Sequence, residues 1–293
     1  MRLVVIIATI GRRELLARLL ALLEEQDRPP DEVIVSAPDE SHAAPYPARR
    51  FEISHVFGKR GLCAQRNQAL EQALSRSDII TFFDDDFLPA HDYLATLERA
   101  FRDNPDYHVI RGEAVHDGAT GPGYQFDEGL ALLRDLETRR RSDPIEPEIV
   151  DHVGGYGCNM SIRSSAIGAL RFDEKLPLYG WQEDIDFTSQ LRGGGRVVGM
   201  NNLCGVHLAT KSGRMNGVRF GYSQVANAVY LVRKGTVPRG FAYRLMVRNI
   251  AANVVKSVRP EPYVDRKGRL KGNLLAAYHI LKGRVDPEYI LKL

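Results

Sequence analysis

An apolar run in the first third of the chain reads Ile79-Ile80-Thr81-Phe82-Phe83, followed at once by Asp84-Asp85-Asp86 and then by Phe87-Leu88-Pro89. An unbroken run of β-branched and aromatic residues predicts a strand that is buried on both faces. Three adjacent carboxylates at the end of that strand would repel one another unless a cation or a polar ligand lies close by. Hard cations such as Mg²⁺ bind oxygen ligands of this kind. A solvated acidic turn is the alternative, because Asp is common where strands end.

Composition places the chain among ordinary globular proteins. Its 293 residues are 44% hydrophobic and 26% charged, which suits one α/β domain with or without an appendage. Three cysteines without a CxxC pair indicate neither a zinc site nor a disulfide framework, and they favour a reducing compartment. Residues 1–7 lack the pattern of a signal peptide, and no apolar run approaches the roughly 18 residues of a membrane span. We therefore expect a cytoplasmic location.

Charge is distributed unevenly along the chain. Residues 239–293 contain twelve Lys or Arg and four Asp or Glu, a net charge of +8, whereas the whole chain has +3. The rest of the chain is thus at −5, and a basic tail indicates a surface partner, either anionic lipid or another polyanion. Residues 241–258 mix apolar and basic side chains, as does a helix that lies on an anionic membrane. A helical cap on the rest of the chain and a dimer contact are the alternatives.

Predicted strands and helices alternate through the N-terminal part. Strands are predicted at 3–8, 32–36, 51–57 and 79–83, with helices at 13–26, 62–75 and 89–104. This alternation predicts an α/β domain with a mostly parallel sheet, in which ligands bind beyond the carboxyl ends of the strands. Thr9, Ser36, Asp39 and the three aspartates would then share one rim, which favours the metal interpretation. Farther on, strands are predicted at 153–162 and 196–200, with two or three helices after Phe220.

Four short motifs follow one another in a fixed order: Ala8-Thr9-Ile10-Gly11-Arg12, Gly61-x-x-x-x-Arg66-Asn67, Phe83-Asp84-Asp85-Asp86 and Glu183-Asp184-x-Asp186. The ordered set, from about Met1 to His207, resembles the family 2 glycosyltransferases with the GT-A fold. The resemblance implies a mostly parallel mixed central sheet flanked by helices, with a helical appendage. It further implies a catalytic domain over 1–220 and a basic helical extension over 221–293. A donor half and an acceptor half would meet near residue 110.

The resemblance also implies an activity. Such an enzyme moves a sugar from a nucleotide-diphosphate sugar to a hydroxyl of a saccharide or lipid-linked saccharide, with inversion, in polysaccharide or glycoconjugate assembly. The implied cofactor is Mn²⁺ or Mg²⁺, held by Asp86, with Asp84 as a further ligand that also contacts the donor's ribose or sugar, and Asp85 in support. His207 is the implied third ligand, and a structural histidine is the alternative. No nucleic-acid partner is expected, and a homodimer remains open.

Donor-binding residues are expected at three places on the rim. Thr9, Gly11 and Arg12 follow the first strand. Arg66 and Asn67 lie near the start of a helix, where phosphate binds favourably, although an exposed helix face is the alternative. The family usually has an acidic residue directly after the second strand. This chain has Ser36 and Ala37 there, so Asp39 is the substitute, and its register is open.

Acceptor chemistry is assigned to the last motif. By resemblance Asp184 is the general base and Glu183 holds acceptor hydroxyls, whereas capping of a helix by acidic residues is the alternative. Trp181, the only tryptophan, is expected either to stack on a sugar or to pack in the core. Three basic residues would close over the diphosphate as a lid: Lys211, Arg214 and Arg219.

Two other functions fit parts of the pattern. A nucleotidyltransferase also binds Mg²⁺ through aspartates, but residues 9–12 are poor in the glycines that such enzymes have after the first strand. A non-catalytic module that binds sugars or polyanions would not need both the aspartate triplet and the Glu183-Asp184 pair. The presence of both favours an enzyme.

Overall fold

The computed structural model describes residues 1–43, 45–211 and 215–293. In these residues nine strands form one sheet: β1 Leu3–Ala8, β2 Glu32–Ala37, β3 Glu52–Phe57, β4 Ile79–Asp84, β5 Phe87–Pro89, β6 Tyr107–Asp117, β7 Ile149–Asp151, β8 Asn159–Arg163 and β9 Arg196–His207. The helices are α1 Arg13–Glu24, α2 Leu62–Ala73, α3 Tyr93–Asp103, α4 Phe126–Ser142, α5 Ser164–Ile167, α6 Glu183–Ser189, α7 Gly217–Lys234, α8 Arg239–Lys256 and α9 Arg266–Leu281.

The sheet is mixed, as the sequence predicts. Its order is β3-β2-β1-β4-β8-β6-β9-β5, and β7 pairs with β9 off this path. Parallel pairing joins β3, β2, β1 and β4, and also joins β6 to β9. The strands β5, β7 and β8 pair antiparallel with their neighbours. The predicted alternation of strand and helix therefore describes the N-terminal half best, where the parallel strands lie side by side.

Helices cover both faces of the sheet, which explains the unbroken apolar strands. On β1, Leu3, Val5 and Ile7 pack in one cluster with leucines of α1 and α3. The alternate residues Val4 and Ile6 pack on the opposite face with side chains of α2, α6 and α7. A strand covered in this way gains burial from every residue, so it shows no alternation of apolar and polar positions.

Three predicted elements have different limits in the structure. The helix expected over 89–104 begins only at Tyr93, because Phe87–Pro89 pairs antiparallel with β9. The strand expected over 196–200 continues to His207, along β5 and β6. The strand expected over 153–162 begins at Asn159. In the first two cases the difference comes from a partner strand that is distant in sequence.

The C-terminal helices pack closely on one another and on the sheet domain. A Cβ on Gly221 of α7 would lie 2.0 Å from the Arg269 carbonyl oxygen, and one on Gly272 of α9 would lie 2.1 Å from that of Val218. Ala228 and Leu231 of α7 belong to the core cluster of α2 and α6. The division at 220 and 221 stays a prediction. In the described ranges no helix has both the length and the apolarity to cross a bilayer.

Candidate active site

The carboxyl ends of β1 and β4 bring the first and third motifs together. Ala8 and Asp84 are partners in the parallel pair, so Thr9 lies beside Asp85. Thr9 Oγ1 donates to Asp85 Oδ2 at 2.6 Å, and an Arg12 guanidinium nitrogen lies 2.7 Å from Asp85 Oδ1. Burial raises the pKa of Asp85, and these contacts oppose that rise. Asp85 therefore fastens the loop after β1 and does not join the metal-ligand cluster.

Gln65 of α2 stabilises the same edge of the sheet. Its side-chain amide donates to the carbonyl oxygens of Thr9 at 3.1 Å and Ser36 at 2.9 Å. Gly11 has a φ of +71°, in the left-handed region where glycine is favoured. This residue lets the chain turn sharply from β1 into α1. Thr9, Ser36 and the aspartates of the predicted rim therefore lie together, whereas Asp39, also expected there, is exposed in a turn after β2.

Asp84, Asp86 and His207 form a cluster that suits a divalent cation. Each offers one ligand atom, and the three atoms lie within 4.8 Å of one another. Two carboxylate oxygens and an imidazole nitrogen are a donor set acceptable to Mn²⁺ and, with more water in its shell, to Mg²⁺. The three side chains come from the end of β4, the turn after it and the end of β9. The donor set therefore fits the implied metal.

Charges around Asp86 and His207 are strongly coupled. Burial alone would raise the pKa of Asp86, but the His207 hydrogen bond and the charges of His207 and Arg12 lower it. Burial would lower the pKa of His207, whereas Asp117 and Asp86 raise it to about 10. The backbone N–H of Thr210 also donates to Asp86 Oδ2 at 2.8 Å. The neighbouring carboxylates therefore favour the protonated form of the His207 ring.

Arg66 differs from its predicted role. Its side chain is 2% exposed, and its guanidinium contacts Glu183 Oε1 at 2.6 Å, the Gly157 carbonyl oxygen at 2.7 Å and Asp84 Oδ1 at 3.1 Å. A guanidinium with these partners is not available to a phosphate. Arg66 instead joins Asp84, in the metal-ligand cluster, to Glu183, in the last motif.

Asn67 is also engaged elsewhere. Its amide donates to the Phe172 carbonyl oxygen at 3.0 Å and to Glu174 at 3.2 Å, and its Oδ1 accepts from the Phe172 N–H at 2.8 Å. It anchors the chain at residues 172–174, so the predicted phosphate contact does not describe it. The sequence places Arg66 and Asn67 on a helix but does not tell which face of that helix is buried.

Asp184 and Glu183 begin α6 in different surroundings. Asp184 Oδ2 accepts the Gly157 N–H, and Oδ1 accepts the N–H of Ile185, both at 2.8 Å, so a capping contact is present. Burial raises the pKa of Asp184, opposed by these two hydrogen bonds. Glu183 is buried against Arg66, and burial and the neighbouring Asp184 hold its pKa well above the usual range. Glu183 is therefore a buried partner of Arg66 and not an exposed ligand for hydroxyls.

The remaining predicted residues lie at the edges of the site. Asp39 is exposed and accepts the Ser41 N–H at 2.8 Å, as in a tight turn. Trp181 packs edge to face on Phe220, with centroids 5.1 Å apart, and Tyr179 lies on the same ring at 5.9 Å. Asn227 donates to the Trp181 carbonyl oxygen at 2.8 Å. Trp181 thus packs in an aromatic cluster with Tyr179 and Phe220, two residues that the sequence reasoning did not single out.

Of the three predicted lid residues, two can be placed. Lys211 donates to the Gly118 carbonyl oxygen at 3.0 Å. Arg219 lies 2.9 Å from the carbonyl oxygen of Leu293, so it fastens the end of the chain and is not a lid residue. Arg214 lies outside the described residues.

The sequence profile described as Glycosyl transferase family 2 matches residues 4–164, more than half of the chain. The chain belongs to glycosyl transferase family 2. The resemblance seen in the ordered motifs is thereby confirmed, and the family favours a glycosyltransferase over a nucleotidyltransferase.

Solved structures show how this family 2 glycosyltransferase relates to others in fold. S. aureus TarS aligns at 15% identity and a TM-score of 0.55, over 89% of this chain and 46% of TarS. The shorter TarS 1-349 in complex with UDP-GlcNAc aligns at 14% identity and a TM-score of 0.55, over 92% of this chain and 78% of that structure. The mannosyltransferase PcManGT from Pyrobaculum calidifontis, in complex with GDP-Man and Mn²⁺, aligns at 16% identity and a TM-score of 0.52. The alignment covers 99% of this chain and 85% of PcManGT.

These likenesses confirm the GT-A fold. The chain spans less than half the length of the longer TarS structure. No curated protein sequence matches it.

Proposed function

We propose that this chain transfers a sugar from a nucleotide-diphosphate sugar to a hydroxyl of a saccharide or lipid-linked saccharide, with inversion and with Mn²⁺ or Mg²⁺. The observation that supports the proposal best is the cluster of Asp84, Asp86 and His207. Arg66 contacts both Asp84 in this cluster and Glu183, which precedes Asp184 in the last motif. TarS binds UDP-GlcNAc, and PcManGT binds GDP-Man with Mn²⁺, which supports a donor of this class.

Asp84, Asp86 and His207 would hold the metal, which supplies positive charge to offset the charge that develops on the leaving diphosphate. The chain's own residues do the rest. Asp184 takes the proton of the acceptor hydroxyl, whose oxygen forms a bond to the anomeric carbon. The bond from that carbon to the donor's phosphate oxygen breaks, and the nucleoside diphosphate leaves. A single displacement inverts the anomeric configuration.

The backbone around Asp184 supports the role of general base. Both carboxylate oxygens accept one N–H each, and each keeps a lone pair for a further hydrogen. The charges of Arg66 and Arg111 also favour the ionised form of Asp184, so they oppose the effect of burial on its pKa. This arrangement keeps the Asp184 carboxylate free to accept the acceptor's proton.

The test is release of nucleotide from a panel of UDP-, GDP-, TDP- and CDP-sugars, with Mn²⁺, with Mg²⁺ and with chelator. We expect one donor to give metal-dependent release, which Asp184→Asn slows about 100-fold or more while donor binding is kept. Asp135→Asn is the matched control, because Asp135 is exposed on α4 and pairs with Arg139. Product configuration measured by proton NMR tests inversion. No metal-dependent release from any donor would overturn the proposal and favour a non-catalytic binding module.

We further propose that α8 attaches the enzyme to the inner face of an anionic membrane, where lipid-linked acceptors lie. Tyr243, Val247 and Val254 recur at helical spacing and are all exposed, and Val255 is 72% exposed. By contrast, Phe241, Met246 and Ile250 pack inward. The cap interpretation therefore describes the inner face of α8, and the membrane proposal concerns the outer one.

Two further observations are consistent with this position. The sequence of α8 contains basic residues and no acidic residue. The three cysteines are free and buried, which suits the reducing compartment of the cytoplasm. A homodimer through the same face is the competing arrangement.

A further inference from the structure

Asp117, at the end of β6, lies directly opposite His207, at the end of β9, although no motif points to it. The two are partners in the parallel pair. The register shifts between Ala114, which pairs with Gly205, and His116, which pairs with Val206, so Val115 is an extra residue on β6. An inserted residue of this kind redirects the side chains that follow it. If the register after Ala114 continued without this shift, His116 would lie opposite His207 and Asp117 one position beyond it.

Asp117 accepts three hydrogen bonds. Its Oδ1 is 2.9 Å from His207 Nδ1 and 2.8 Å from the Ala119 N–H, and its Oδ2 accepts the hydroxyl of Tyr156 at 2.6 Å. Both oxygens of Asp117 act as acceptors, Oδ1 for the Ala119 N–H and Oδ2 for the Tyr156 hydroxyl, so the His207 nitrogen that faces Oδ1 is assigned as a donor and Nδ1 carries a hydrogen.

Tyr156 completes the arrangement from the loop before β8. The hydroxyl of Tyr156 donates a hydrogen bond to Asp117 Oδ2. Its ring also lies edge to face on His207, at 6.2 Å and 88°. The imidazole is therefore fixed in both rotation and hydrogen bonding, with Nε2 on the side of Asp86, 3.5 Å from its Oδ1.

We propose that Asp117 and Tyr156 are positioning residues for the metal: they hold the hydrogen of His207 on Nδ1 and orient Nε2 toward a cation shared with Asp84 and Asp86. The inference rests on the proposed metal site. A carboxylate behind a ligating histidine commonly fixes the ring in this way, and its loss weakens metal binding about 10- to 100-fold.

The experiment measures Mn²⁺ affinity by isothermal titration calorimetry on the full chain without donor. We expect Asp117→Ala to raise the Kd about 10- to 100-fold. Tyr156→Phe removes only the hydroxyl and should give a smaller rise. Asp117→Asn keeps one acceptor oxygen and should restore part of the loss. The matched control is Asp135→Asn, an aspartate exposed on α4 and far from the cluster in sequence.

A double-mutant cycle of Asp117→Ala with His207→Gln distinguishes a positioning role of Asp117 from a general structural effect. If Asp117 acts through His207, Asp117→Ala adds no further loss of Mn²⁺ affinity once His207 is replaced. Thermal unfolding of each variant shows whether the fold is intact, and Tyr156→Phe keeps the test valid if Asp117→Ala does not fold.

Three results decide between the proposals. A wild-type protein that binds neither Mn²⁺ nor Mg²⁺ overturns the proposed metal-dependent function. Unchanged Mn²⁺ affinity in both folded variants, beside normal binding by the wild type, overturns only the roles of Asp117 and Tyr156. Losses that simply add in the His207→Gln background assign a structural effect and overturn the positioning role as well.

Discussion

Three neighbouring aspartates have three different sets of partners. Asp84 pairs with Arg66, Asp85 with Thr9 and Arg12, and Asp86 with His207 and, at 3.2 Å, with Arg12 as well. Repulsion within the triplet is therefore balanced by two arginines and a histidine before any metal binds. The triplet alone does not require a cation, and what favours one is the convergence of Asp84 and Asp86 with His207.

Adjacent positions in the triplet should thus respond differently to mutation. We expect Asp86→Ala to remove measurable Mn²⁺ binding and metal-dependent transfer. We expect Asp85→Asn to retain Mn²⁺ binding and to lower the free energy of unfolding by about 1–3 kcal/mol, because it weakens a buried contact with Arg12. Calorimetric titration with Mn²⁺ and denaturant unfolding measure the two effects. Equal loss of metal binding in both variants would contradict this division.

If Asp184 is the general base, as proposed, its pKa sets the pH dependence of the reaction. A general base works only when ionised, and burial raises the pKa of this carboxyl. The acid limb of kcat/KM is therefore expected at a higher pH than the usual aspartate range, with activity rising as pH increases through it. The activity that remains in Asp184→Asn should lack this limb. A limb at or below the ordinary value of about 3.9 would argue against Asp184 as the base.

At the scale of elements, the sequence predicts what depends on local pattern. The strands β1, β2 and β4 are evident as apolar runs because both of their faces are covered. The full length of β9 is not evident, since Asn201 and Asn202 interrupt it. Asn201 is held by Glu146 and Glu148, which are distant in sequence.

The site was predictable to the same degree. Asp84, Asp86, Asp184 and His207 are readable from motifs. Asp117 depends on an extra residue in β6, and the buried face of Arg66 depends on the packing of α2. Neither is encoded in the spacing of nearby residues.

The contact between α7 and α9 is an element-scale feature with a direct test. A Cβ at residue 221 would lie 2.0 Å from a backbone oxygen, so Gly221→Ala must push the helices apart. We expect a loss of about 1–3 kcal/mol in the free energy of unfolding, measured by denaturant titration. Gly240→Ala is the control, because nothing lies within 4 Å of its Cβ and alanine favours a helix by up to about 1 kcal/mol. A Gly221→Ala protein as stable as the wild type would contradict this account.

At the scale of the whole molecule, the C-terminal helices are joined to the catalytic part by buried charge. Asp186, in the same motif as Asp184, is fully buried and accepts from Lys234 at 2.7 Å and Thr236 at 2.5 Å. Lys234 also contacts Asp173 at 2.7 Å. A displacement of α7 would therefore act on α6, which contains Asp184, through the contact of Lys234 with Asp186.

The exposed outer face of α8 determines which partner the C-terminal helices bind. We expect the wild-type chain to sediment with vesicles of equal parts phosphatidylcholine and phosphatidylglycerol. We also expect high salt to release it, because Arg244 and Arg248 contribute about 1 kcal/mol each at an anionic surface and this attraction is screened. The triple variant Val247→Ser, Val254→Ser and Val255→Ser should lose most of this binding, whereas Ile149→Ser with Val150→Ser, exposed on β7, should not. If the wild type ignores the vesicles and instead forms a dimer that the same triple variant dissociates, the face is a contact between two copies. Phe241 and Met246 of α8 pack in the same core cluster as Phe187 of α6, so either partner would bind a helix that shares its core with α6.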